Sequence, residues 1–154
     1  MFSHIHDKRA RMVDISGKAD VARHAIAVGE IQLRQETLEA IKNRQIEKGE
    51  VLETAHIAAI MAVKRTSLVI PMCHHIPITG IDVRFEMTNE AIKATVEVKS
   101  VGKTGVEIEA LQGVSVALLT IWDMVKSAEK DETGNYPFTE IRNIKVLEKF
   151  KADW

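Results

Sequence analysis

The sequence is most informative first in what it lacks. It has one cysteine, Cys73, in 154 residues, so no disulfide can form within the chain and a reducing compartment is the expected setting. Lysine and arginine number 21 against 22 aspartate and glutamate, a net charge of −1. Without an excess of positive charge there is no bulk electrostatic reason to coat nucleic acid or an anionic membrane, and neither partner is expected. Any phosphate must be met by a few local lysines and arginines. No run of about eighteen uninterrupted apolar residues is present, so no membrane span is expected. The opening MFSHIHDKRARMVDI lacks the apolar stretch of a signal peptide. A cytoplasmic protein is the expectation. Internal repeats, low-complexity tracts and linkers are also missing.

What is present suits a soluble globular chain: hydrophobic residues make up 45% and charged residues 28%. The length predicts one domain over 1–154, with the polar first twenty residues as an extended arm. ARHAIAVGEIQL (22–33) alternates loosely and predicts a strand. RQETLEAIKNRQ sets Leu38 and Ile41 on one face among good helix formers. Gly49 separates it from a second, alanine-rich helix, EVLETAHIAAIMAVKRT. Two of the three prolines, Pro71 and Pro77, bracket PMCHHIP, which predicts a loop or strand entrance. ITGIDVRFEMT and AIKATVEVKSV alternate apolar with polar around TNE, a hairpin signal. A long helix from about Thr104 to Glu129, the loop DETGNYP and a last strand in FTEIRNIKVLEKF complete the chain. The order resembles the split βαβ arrangement of ferredoxin-like folds. An α+β protein is therefore expected: a ferredoxin-like antiparallel sheet with helices on one face and an extra N-terminal helix.

The long helix is apolar almost all round. Leu111, Val114, Leu118, Ile121 and Val125 form one stripe, and Val116, Ala117, Leu119, Trp122 and Met124 widen it. Such a helix needs cover on two sides, by the sheet and by another subunit, so an oligomer is expected. Asp123 and Lys126 break the apolar run three residues apart on one face, where they can pair. A salt bridge near a helix C-terminus accounts for that pairing in plain structural terms; partial burial that couples them for proton transfer accounts for it functionally. Glu109 and Asp123 point nearly the same way, about 21 Å apart along the axis. A compact substrate does not span that distance, so a site using both lies between subunits.

Other polar clusters carry candidates. GKTG (102–105) stands where a strand meets a helix, where main-chain N–H groups and Lys103 can hold an anion; a tight turn would use the same residues. It is not a Walker A loop, because that pattern needs glycine where this chain has Glu97. MCHH (72–75) sets a thiol beside two imidazoles, but CxxC, HxxxH and HExxH spacings are missing, so no metal site is expected. Adjacent histidines in extended chain face opposite ways, and one of them suits a substrate contact. Lys48 and the Lys64–Arg65 pair supply further cations.

EKGE, VKRT, PMCHH, GKTGVEIEAL and TIWDMVK, in this order and spacing, resemble the MoaC family, the cyclic pyranopterin monophosphate synthases of molybdenum cofactor biosynthesis. MVDIS and TAHIAAIMAVKRTSLVIPMCH fit the same pattern, which covers nearly the whole chain. The resemblance implies a lyase that converts 3′,8-cyclo-7,8-dihydro-GTP into cyclic pyranopterin monophosphate with release of pyrophosphate. It further implies catalytic roles for Asp123, Lys126 and Lys48, and substrate binding by Met72, Cys73, His74, Ile108 and Glu109. Lys64 and Lys103 are added as phosphate contacts, from chemistry as much as from the resemblance. It implies a homohexamer, a trimer of dimers, with active sites at the dimer interface. No metal is built in; Mg²⁺ accompanies the triphosphate. Two departures stand out. His75 occupies a position where many members have proline. The glycine-rich SGGKSG-type ending is replaced by IRNIKVLEKFKADW, where Lys145 and Lys149 are the candidates to supply its lysine. Two rival readings use the same residues: a ferredoxin-like oligomer that senses a nucleotide or amino acid, and a zinc-dependent hydrolase built on Cys73 and His74.

Overall fold

Alternation of apolar and charged side chains builds the sheet, and a helix greasy on most sides covers it. The structure, a computed structural model, describes residues 5–6 and 9–152. A small ribbon of β1 (Ile5–His6) and β2 (Arg9–Ala10) comes first, then the long strand β3 (Val21–Gln32). Helices α1 (Gln35–Lys42), α2 (Val51–Lys64) and the single turn α3 (Thr66–Val69) follow. The hairpin of β4 (Ile78–Met87) and β5 (Ala91–Gly102) leads into α4 (Glu107–Glu129) and the last strand β6 (Glu140–Ala152). This is an α+β chain whose main sheet has four antiparallel strands in the order β4-β5-β3-β6.

Period-two alternation decides which side of each strand is buried. Ala25, Ala27 and Ile31 of β3 stand beside Val98, Val96 and Ile92 of β5, and all six are buried. On the opposite side Lys93, Thr95, Glu97 and Lys99 of β5 are exposed or half-exposed. The helices therefore lie on the apolar side of the sheet, with Val114, Leu118, Ile121 and Val125 of α4 wholly buried against it. Gly113 is what allows this approach. A Cβ there would lie 2.9 Å from Val63 Cγ2 of α2 and 3.0 Å from Val96 Cγ1 of β5.

Three expectations meet corrections. α4 begins at Glu107, not near Thr104, because Gly102 still pairs with Val21 at the end of the sheet and Val106 occupies the cap position. No helix precedes β3 among the described residues; the extra N-terminal helix is not found there, and Val13 and Ile15, the half-buried residues of 11–20, stand two apart as extended chain sets them. Residues 1–4 and 7–8 of the expected arm lie outside the described residues. Finally, much of the second side of α4 is covered by α2 of the same chain, leaving Leu119 60% exposed. α4 is long and apolar enough by composition to cross a membrane, with a mean hydropathy of 1.4, yet half of that window is buried as the central helix of this core.

Candidate active site

Both ends of α4 carry a polar cluster. At the C-terminal end, helical spacing sets Lys126 one turn beyond Asp123, with Lys126 Nζ 3.3 Å from Asp123 Oδ1. The α1–α2 connection delivers a second ammonium. Gly49, at φ +105°, lets the chain turn sharply behind Lys48. Lys48 Nζ then donates to Asp123 Oδ2 at 3.0 Å and to the Asp123 main-chain oxygen at 3.1 Å. Each carboxylate oxygen thus faces one ammonium. These contacts, that from Lys48 first, hold the Asp123 carboxyl below the usual range. All three side chains stay accessible to a ligand, at 44% for each lysine and 58% for Asp123. A fixed carboxylate between two cations can relay protons and stabilise charge developing on a substrate oxygen.

At the N-terminal end the loop between Pro71 and Pro77 closes against the start of α4. A cavity of about 330 Å³ is lined there by Met72, Cys73, His74, Gly105, Glu107 and Ile108. Beneath it Glu109 is only 3% exposed. Cys73 Sγ lies 3.7 Å from Glu109 Oε2, and Glu109 Oε1 is buried without a hydrogen-bond partner. Burial first, then the Glu109 charge, pushes the Cys73 thiol up to about 11. The Glu109 carboxyl is raised as well, chiefly by burial. Cys73 is thus a neutral donor at ordinary pH, not a thiolate. His74 donates from Nε2 to the Val13 carbonyl of the N-terminal arm, while His75 faces outward beside Ser67. The two adjacent histidines diverge as extended chain requires.

The remaining cations are scattered. Lys103 Nζ donates to the Lys18 carbonyl at 2.8 Å and lies 3.6 Å from Asp20. Lys64 is exposed at the end of α2. Lys149 of β6 reaches Glu107 Oε1 at 3.1 Å, beside an adjoining cavity of about 310 Å³ that shares Gly105 and Glu107 with the first. The Glu107 carboxylate folds back over Gly105, with its Oε2 where a Cβ on that glycine would have to lie. Among the described residues no group of three His, Cys, Asp or Glu side chains is placed to hold a metal ion. Sequence reasoning did not single out Val13 or Glu107. The apolar-then-acidic MVDIS near the start was the available signal for Val13.

A sequence profile of the MoaC family matches residues 12–152, a span holding both clusters. The chain belongs to the MoaC family. A protein of Methanosarcina mazei named "Probable cyclic pyranopterin monophosphate synthase" is 67% identical over 151 residues, 98% of this chain and 96% of that one. A protein of the same name from Archaeoglobus fulgidus is 58% identical over 150 residues, 97% of this chain and 96% of its own. One from Methanothermobacter thermautotrophicus, named "Probable cyclic pyranopterin monophosphate synthase accessory protein", is 56% identical over 152 residues, 99% and 96% of the two chains. Within one MoaC-family chain the two clusters do not meet: fourteen residues of helix separate Glu109 from Asp123, about 21 Å of axis.

Proposed function

We propose that this chain is a cyclic pyranopterin monophosphate synthase, a lyase converting 3′,8-cyclo-7,8-dihydro-GTP into cyclic pyranopterin monophosphate and pyrophosphate. The observation that carries the reading is Asp123 held between Lys48 and Lys126 in a chain of the MoaC family. The rearrangement opens one ring, closes the pterin, and ends when a substrate hydroxyl attacks the α-phosphorus and the bond to pyrophosphate breaks. Each step moves protons, which suits a paired carboxylate and ammonium. Lys48 and Lys126 neutralise charge as it builds on the phosphoryl oxygens and the leaving pyrophosphate. Met72, Cys73, His74, Ile108 and Glu109 bind the substrate's base and sugar, Glu109 as a carboxyl able to carry a proton. Lys64 and Lys103 are the further phosphate contacts, and Mg²⁺ arrives with the triphosphate as part of the substrate.

A nucleotide does not bridge the two ends of α4, so one active site takes the Cys73–His74 cavity from one copy and the Asp123 set from another. The assembly is a homohexamer, a trimer of dimers, in the cytoplasm. Exposed Leu68, Ile57 and Leu119, at 83%, 61% and 60%, supply apolar surface for such contacts. Each copy is one domain over 1–154, and the strand order β4-β5-β3-β6 supports the ferredoxin-like label. The test is incubation with the cyclised GTP derivative while pyrophosphate and pterin are assayed together. Equimolar release supports the reading; neither product from a folded, assembled protein refutes it.

A further inference from the structure

The N-terminal arm is fastened beside the Cys73–His74 cavity at two points. His74 Nε2 donates to the Val13 carbonyl, and Lys103 Nζ donates to the Lys18 carbonyl at 2.8 Å with Asp20 Oδ1 at 3.6 Å. Both tethers run from residues flanking the cavity to main-chain oxygens of the arm, with Asp20 as the only side-chain acceptor. Val13 and Ile15 are half-buried in an otherwise exposed segment, so the arm lies against the protein here.

A carbonyl oxygen has no proton to give. A histidine nitrogen hydrogen-bonded to it must therefore be the N–H nitrogen, and in the neutral ring the other nitrogen is then a bare acceptor. His74 is half-buried and lines the cavity. We propose that the Val13 carbonyl is a positioning group for His74: it holds the ring as the Nε2–H tautomer and presents Nδ1 as an acceptor for a hydroxyl or ring N–H of the substrate. This rests on the reading of the cavity as the substrate site. It assigns the arm a task in turnover, and it makes His74 a receiver of a substrate proton or hydrogen bond, not a donor to a substrate oxygen, for as long as the ring is neutral. Next along the arm, Asp14 accepts a hydrogen bond from the Ser16 main-chain N–H, which with the nearby His74 ring holds its carboxyl below the usual range; Asp14 is thus the charged group of the arm that faces the imidazole.

Two measurements test it. The first uses the full chain with ¹⁵N-labelled histidine, read by NMR above the imidazole titration range, with His74→Gln to assign the signal. A bare Nδ1 and a protonated Nε2 are expected; the opposite tautomer, or an even mixture, overturns the proposal. The second compares the full chain with one lacking residues 1–16, each with and without His74→Ala. Loss of one positioning hydrogen bond should lower kcat/KM about five- to ten-fold. Once the imidazole is gone, removing the arm should change kcat/KM no further. Additive losses, or a deletion that leaves both the tautomer and kcat/KM unchanged, overturn it. If the full chain does not turn the cyclised nucleotide over, the functional reading has failed, and the tautomer still decides whether Val13 sets the ring.

Discussion

Lys48 Nζ stands 3.0 Å from Asp123 Oδ2 although 75 residues separate the two in sequence. Lys126 approaches the other oxygen of the same carboxylate at 3.3 Å. Neither contact is buried, so neither contributes much to stability. Their value is chemical: they keep the carboxylate ionised and place two exchangeable cations beside it.

Lys126→Ala should lower turnover of the cyclised GTP derivative by about 10²–10⁴-fold, the range for losing a positioned acid or base. The sedimentation profile and the thermal midpoint should stay close to those of the unaltered chain. Undiminished turnover removes Lys126 from the mechanism.

The depressed Asp123 carboxyl has a pH consequence of definite sign. Its ion pairs are fully formed above the unfolded-state value, about 3.9, and are lost only as pH falls through the lower folded value. In Lys48→Met the hydrogen bond that does most to depress the carboxyl is gone, so the Asp123 midpoint, followed by carboxyl-carbon NMR, should move up toward the ordinary value. A midpoint that stays put would mean that Lys48 does not face Asp123 in solution.

With its thiol pushed up to about 11, Cys73 should alkylate slowly at neutral pH and faster as pH approaches that value. Glu109→Gln removes the negative charge that helps raise the thiol. Labelling at neutral pH should then quicken, by about ten-fold for each unit the thiol falls. An unchanged rate would separate Cys73 from Glu109.

Glu129, wholly buried at the end of α4, accepts hydrogen bonds from Arg34 N, Thr37 Oγ1 and Thr139 Oγ1. It thereby satisfies the start of α1, which has no side-chain cap of its own, and pins the entry to β6. Glu129→Ala should cost about 3 kcal/mol in urea unfolding, because two buried hydroxyls and the part-buried Arg34 N–H lose their acceptor. Glu129→Gln, which keeps one oxygen, should cost less.

Gly113→Ala should destabilise by about 1–3 kcal/mol through overpacking, since its Cβ meets Val63 and Val96 at once. Val63→Ala in the same chain should recover part of that loss by making room. Additive destabilisation would show that the contact is not the cause.

The strand positions, the hairpin around TNE and the central helix were legible because each rests on local periodicity. β3 was expected over 22–33 and runs Val21–Gln32; the final strand was expected over 138–150 and runs Glu140–Ala152. The start of α4 was misjudged because a glycine-rich turn and a helix N-terminus look alike until the strand pairing of Gly102 is seen. The Asp123–Lys126 pair was legible from i, i+3 spacing, and Lys48 only from family resemblance, since nothing local to EKGE says what its ammonium reaches. Glu129 was not singled out: a glutamate closing a helix reads as surface charge until Thr37 and Thr139 close over it.

By itself the sequence determined the periodic elements, the apolar side of each strand, the one-turn pairing of Asp123 with Lys126 and the family. All of these depend on residues within a few turns of one another or on the order of short motifs. Only the tertiary structure decided that Lys48 closes on Asp123, that α2 covers the second side of α4, that Glu129 is interior and that the Val13 carbonyl meets His74. Those contacts join segments tens of residues apart. They exist only because burying the apolar side of the sheet beneath α4 leaves the loops at each end of that helix no other place to lie.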